Sequence, residues 1–202
     1  MTCLGLEGDR EREQRARRLQ ERICGVEPPL PSSARQLRQE IFGCLWTASD
    51  EEVLKSPPQQ LQRLLKLTPS KDEQSHTYII TGGTLEKVKD FRRELTAKDL
   101  FERDDGALIG FSLTLRELPE GTMTLIAYDF EIRFPGEGAV PGFLRFDLNP
   151  PAHGNADIGM RCHFHPGNDD LQAHAPLMAP VEILELFIYK LRPRNPEKPR
   201  AR

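Results

Sequence analysis

From Ala107 onward, apolar and polar residues alternate with a period of two. Over 107–118, Ile109, Phe111, Leu113 and Leu115 share one side, and Gly110, Ser112, Thr114 and Arg116 the other. Over 124–134, Ile126, Tyr128, Phe130, Ile132 and Phe134 form the apolar side, against Asp129, Glu131 and Arg133. Over 143–149, Leu144, Phe146 and Leu148 oppose Arg145, Asp147 and Asn149. Over 160–165, Cys162 and Phe164 oppose Arg161, His163 and His165. Leu118-Pro119-Glu120-Gly121 reads as a type I turn with glycine supplying positive φ, and 135–142 as a second turn region. Four alternating strands predict an antiparallel meander with one buried face. A helix from Pro180 to Leu191 follows, with proline at its first position, Glu182 in its first turn and a stripe of Ile183, Leu184, Phe187, Ile188 and Leu191. The predicted class is α+β: a four-stranded antiparallel meander sheet covered on one face by the C-terminal helix and by N-terminal helices.

Before residue 107 the pattern is helical. Residues 8–24 alternate in charge sign, with Glu and Arg at spacings of three and four, which supports an exposed helical arm. The prolines of 25–33 mark a linker. Ser33 then caps a helix carrying Leu37, Ile41, Phe42 and Leu45 on one face. Ser49-Asp50-Glu51-Glu52 repeats that signal for a short helix around Val53 and Leu54, and Leu61, Leu64 and Leu65 mark a third helix over 59–67. A strand over 76–81 leads through Gly82-Gly83 into a helix over 84–95. Strand, Gly-Gly and helix can cradle an anion, but the full glycine-rich phosphate pattern is absent, so the default is a tight turn. The chain divides into a charged arm (1–24), a helical N-terminal region with one strand (25–105), the sheet with its C-terminal helix (106–191) and a basic disordered tail (192–202).

Composition narrows the setting. The 202 residues are 38% apolar and 29% charged, enough for one medium domain with a heavily solvated surface. Four cysteines without a CxxC pair indicate free thiols in a reducing compartment, not a disulfide framework or a structural zinc. No leader-like apolar run and no window of 18 apolar residues occurs, so the expected location is cytoplasmic, away from membranes. The net charge of −3 is uneven: residues 107–189 carry −7 and residues 190–202 carry +5. The basic, proline-broken tail is either a solvated end or an arm that reaches nucleic acid or the protein's own acidic surface.

Chemistry is confined to the polar side of the sheet. Arg116, Arg133, Arg145 and Arg161 all fall there, one per strand, with Asp129, Glu131, Asp147, His163 and His165. If the middle hairpin pairs residues whose numbers sum to about 276, Glu131 faces Arg145 and Asp129 faces Asp147. Two opposed carboxylates repel unless a cation, a proton or an arginine offsets them. The histidines project the same way and could exchange protons near neutral pH or ligate one divalent metal. His163, His165 and Asp147 are therefore the catalytic candidates, and Arg145 and Arg161 the phosphate-binding ones. Asp129, Asp147, His163 and His165 are the candidate metal ligands, with Glu131 as another third ligand. The bland account is a wet face stitched by cross-strand ion pairs, each contributing only ~0.2–1 kcal/mol. His153 and His174 read as incidental loop residues.

Arg145-Phe146-Asp147 on one strand, His163-Phe164-His165 on the next and the proline-led apolar helix resemble the TumE-type toxins of bacterial toxin–antitoxin pairs. The likeness covers residues 107–191, with a longer loop between the two elements and a Pro-Gly-Asn-Asp-Asp insertion after the histidines. It implies a bacterial toxin-like or defence protein, a candidate ribonuclease acting on RNA, with an antitoxin as partner. The competing expectation is a non-catalytic interaction module whose charged termini bind another protein. A third is a metal-dependent hydrolase of a small molecule, with a closed pocket lined by the same residues.

Overall fold

The computed structural model describes residues 27–70, 76–83, 96–136 and 142–192, together with Gln14, Arg18 and Glu21, which are helical and exposed. The rest of the charged arm, the helix expected over 84–95 and nearly all of the basic tail lie outside the described residues.

The first described long helix, α1 (Ala34–Asp50), starts where the Ser33 side chain accepts the Gln36 amide, as the capping signal predicts. Its inner face, Ala34, Leu37, Ile41, Leu45 and Ala48, is almost fully buried. The short helix expected around Val53 and Leu54 does not form. The amides of Val53 and Leu54 turn back onto Ala48 O, Glu52 takes a left-handed φ of 58°, and Leu54 bridges to Arg103. The Ser-Asp-Glu-Glu signal thus lies at the end of one helix, not the start of another. Helix α2 (Pro58–Leu64) stops short of the expected Leu67, because β1 (Leu65–Pro69) begins there and pairs with β2 (Thr77–Gly82).

Eight strands, not four, make one sheet, and every pairing in it is antiparallel. The others are β3 (Phe101–Glu102), β4 (Leu108–Glu117), β5 (Met123–Arg133), β6 (Phe143–Leu148), β7 (Cys162–His165) and β8 (Ala173–His174). The order is β1-β2-β4-β5-β6-β7-β8, with β3 beside the end of β4 that β2 leaves uncovered. The 25–105 region therefore gives three strands to the same sheet, instead of one strand in a helical unit. The 276 register holds: Glu131 pairs with Arg145 and Asp129 with Asp147. One inward assignment changes. A bulge opposite Thr114/Leu115 leaves Ile126 out of the ladder and turns Leu125 toward the core beside Leu115.

Gly82 is explained by packing: a Cβ there would sit 2.2 Å from the Phe111 ring. The final helix, α4 (Pro180–Glu185), runs into a π-helical turn (Leu186–Lys190). Its Ile183, Leu184, Phe187 and Ile188 are fully buried, and Phe187 meets Phe146 of the sheet at 5.9 Å between rings. This helix and α1 close the apolar face, as the periodicity predicts. The opposite face holds the polar residues. Among the described residues no helix is long and apolar enough to cross a membrane.

Candidate metal centre

The polar face is not a wet, flat surface. Glu131, Asp147, His163 and His165 expose 3%, 9%, 1% and 3% of their area, although they alternate with core residues along their strands. The loops between β6 and β7 and between β7 and β8 contribute Asn155, Asp169 and Gln172 to a pocket of about 550 Å3 over this face. That volume suits a small molecule.

Strand pairing builds the centre. Asp147 lies beside His163 across β6–β7, and Arg145 lies beside His165. Side chains two apart on β7 stand on one face, so the two imidazoles meet, with ring centroids 4.9 Å apart. His163 Nδ1 lies 2.8 Å from Met160 O and His165 Nδ1 lies 3.3 Å from Asn168 O. A carbonyl oxygen can only accept, so each Nδ1 carries the ring proton and each neutral ring keeps its lone pair on Nε2. Those lone pairs face each other at 3.1 Å, and both face Asp147 Oδ2, at 3.1 Å from His165 and 3.6 Å from His163. Three acceptors therefore converge on one point.

Such an arrangement needs a positive charge at its centre, either a shared proton or a metal ion. Separations of 3.1, 3.1 and 3.6 Å fix a circle of radius about 1.9 Å through the three atoms. An ion with bonds of about 2.0–2.2 Å reaches all three from just off their plane. The supports are also those of a metal site. Backbone carbonyls hold the far nitrogen of each histidine, and Arg145 Nε donates to Asp147 Oδ2 at 3.0 Å. Burial holds His163 below the usual imidazole value, although the Asp147 charge pulls the other way. The shift favours the neutral form that a metal ligand needs. Burial pushes the Asp147 carboxyl upward, but the neighbouring His165 and the charge and bond from Arg145 outweigh it, so the carboxylate is held below its ordinary range.

The remaining predicted residues fall around this centre. Asp129 lines the pocket opposite Asp147 but is not one of the three converging ligands. Glu131 is a neighbour of Arg145, not the third ligand: its Oε1 accepts from Arg133 Nε and its Oε2 lies 3.6 Å from Arg145 Nη1. Arg145 is committed to Asp147, to Glu131 and, at 2.8 Å, to Asp169. Arg161 donates to the backbone carbonyls of Asn149 and Ile126 and is not part of the pocket wall, so the expected pair of phosphate-binding arginines does not assemble. Arg116 is exposed at the end of β4, between Thr77 and Thr124, and is not part of the pocket wall. His153 caps a four-residue helix, α3 (Gly154–Asp157), from the surface.

No family model, curated protein or solved structure matches the chain. The likeness to TumE-type toxins thus rests on its two short strand elements and the helix after them. Three residues escaped the sequence reading. His174 is no loop residue but the β8 partner of His163, half-buried, with its imidazole lowered by burial. Asp169 comes from the insertion after the histidines and reaches Arg145, and Asn149 lines the pocket. Asn149 was visible as a polar-side position; nothing in the pattern marked the other two.

Proposed function

We propose that this protein is a metal-dependent hydrolase of a small molecule, with one divalent ion held by His163, His165 and Asp147. The observation that carries the reading is the convergence of two lone pairs and a carboxylate oxygen, with both ring protons already spent on backbone carbonyls. Charge supports it. Asp129, Glu131, Asp147 and Asp169 line the pocket, an acidic setting that suits a divalent cation. Such an ion would polarise a substrate carbonyl and acidify a water molecule.

The same observations weigh against RNA as the substrate. Arg145 already serves three carboxylates and Arg161 two carbonyls, so a phosphodiester would have to displace internal partners to gain a guanidinium. A toxin role with an antitoxin partner is supported only by the residue pattern. A role for the charged termini concerns chain outside the described residues.

The test is elemental analysis of the purified protein, followed by titration of metal-stripped protein with cobalt(II), whose visible spectrum reports its ligand set. About one ion per chain is expected, lost in a folded His163→Ala/His165→Ala variant. Failure to bind zinc, manganese, iron or cobalt would overturn the proposal. Cleavage of a mixed RNA pool in EDTA, abolished in that folded variant, would instead restore metal-free action on RNA.

A further inference from the structure

At the edge of the sheet opposite to β7 and β8, strand β1 runs for five residues, and among the described residues no strand lies on its outer side. In an antiparallel ladder a residue's N–H and C=O point to the same side, and that side alternates along the strand. Leu65 points outward: its N–H donates to Leu61 O, and its carbonyl accepts from Arg38 Nη2 at 3.1 Å. Ser70 points inward, its N–H donating to Thr77 O at 2.8 Å. Both set the same phase, so Leu67 turns its N–H and C=O outward, and Pro69 its carbonyl. Lys66 and Pro69 are guards of the kind that stop like edges from pairing, one by charge and one by removing a donor. Neither bars a strand of opposite charge.

Helix α1 flanks this edge, and a groove of about 550 Å3 lies between them. Its wall includes Arg35, Arg38 and Gln39 of the helix and Lys66, Leu67 and Thr68 of the strand, with no carboxylate among the described residues that line it. Arg35 and Arg38, three apart, share one face of α1. We propose that this groove binds an extended acidic segment of another protein, which joins the sheet beside β1. The segment exchanges backbone bonds with Leu67, and its carboxylates meet Arg35, Arg38 and Lys66. Charge selects this occupant over two others. A second copy of β1 would bring the same three cations of both copies into one interface. The chain's own end, residues 190–202, carries +5 and is repelled as well.

The probe is a fluorescein-labelled hexapeptide alternating threonine and glutamate, and the comparison carries lysine in place of glutamate. The full chain is titrated against each at low salt without added metal, and fluorescence anisotropy reads binding. Arg35→Glu/Lys66→Glu reverses two exposed charges and leaves the Arg38 bond to Leu65 O untouched. Backbone pairing is read separately, with two versions of the glutamate peptide methylated on alternate sets of amide nitrogens. Only one edge of an added strand bonds to β1, so the two sets should differ.

The expected result is saturable binding of the glutamate peptide, none of the lysine peptide, and affinity lower by about tenfold in the folded charge-reversal variant. Methylation of one set of amides should abolish binding and methylation of the other should leave it. Failure of the glutamate peptide to bind, or equal binding of the lysine peptide, would overturn the proposal, as would an equal response to the two methylation sets. A dimer in sedimentation velocity that is lost in a folded Leu67→Pro variant, which lacks the outward N–H, would assign the edge to a second copy of the chain and overturn it too.

Discussion

Two arginines of this fold are held among acidic groups, and they are finished in opposite ways. Arg103 is fully buried, and all three of its nitrogens are spent: Nε and Nη2 on the two oxygens of Asp105, at 2.8 and 2.7 Å, and Nη1 on the carbonyls of Phe187 and Leu191. Those carbonyls belong to the π-helical turn and the residue after it, so the guanidinium ties the last helix to the start of the sheet. No polar atom of that cluster is left over among the described residues. Arg145 also faces carboxylates through every nitrogen, yet around it the accounts do not close. Glu131 Oε2 accepts no hydrogen bond, Asn149 Nδ2 donates none, and three acceptors point at one another beside it. A polar cluster that serves only the fold satisfies itself, whereas one shaped for a ligand is left incomplete.

The contrast is broken most severely at the closed cluster. Arg103→Met should destabilise the protein by about 3–5 kcal/mol, because it strands the Asp105 carboxylate and two helix-terminal carbonyls; urea unfolding measures it. A loss below about 1 kcal/mol would mean that Arg103 holds nothing together. The same substitution has a pH signature. Burial works to raise the Asp105 carboxyl, but the bonds from Arg103 and the Ala107 amide, with the charges of Arg103 and Arg192, hold it below its ordinary value of 3.8. A carboxyl depressed by folding adds stability above its unfolded value, and that stability is lost as pH falls through the folded one. Wild-type protein should therefore lose stability in a step below about pH 4, and Arg103→Met should lack that part of the step.

The open cluster should behave in the reverse sense. With no added metal, His163→Ala/His165→Ala relieves the facing lone pairs but gives up two ring–carbonyl bonds, so it should cost less stability than Arg103→Met. With a divalent metal at a hundredfold over its Kd, the wild type gains about 2.7 kcal/mol and the variant nothing, which thermal unfolding with and without metal reads directly. An equal metal-induced shift in both proteins would remove the histidines from the site.

How far the site could be read in advance follows from which signals are local. Alternation alone put Asp147, His163 and His165 on one face, and the pairing of Glu131 with Arg145 followed once the hairpin register was set. The bulge that exchanges Ile126 for Leu125 leaves no such trace, since both residues are apolar and the extra residue is set by the ladder. Strand β1 was hidden in Leu64-Leu65-Lys66-Leu67, where helical spacing and alternation overlap, and the partner strand decided for the latter. Strands β3 and β8 are two residues long, too short for any period to register; they exist because β4 and β7 offer them an edge. Burial of the polar face was the largest omission. It comes from the loops over 149–160 and 166–172, whose sequences carry turn residues but no hint of what they cover.

The finest distinction lies within the Arg145 cluster, between the side chain that orients a ligand and the one at the rim. Arg145→Met frees Asp147 Oδ2 from its 3.0 Å bond and should weaken metal binding by about 10–100-fold, the usual effect of losing a group that orients a ligand. Asp169→Ala removes only the outer ion pair, at 2.8 Å, from a carboxylate that is 40% exposed. Solvent screens that pair, so its loss should change stability by no more than ~0.5 kcal/mol and leave metal affinity within about twofold. Calorimetric titration of both variants with zinc separates the two roles. Equal losses would mean that Asp169 fixes the Arg145 guanidinium as firmly as Asp147 does, and the ring of residues serving the metal would then extend into the loop after the histidines.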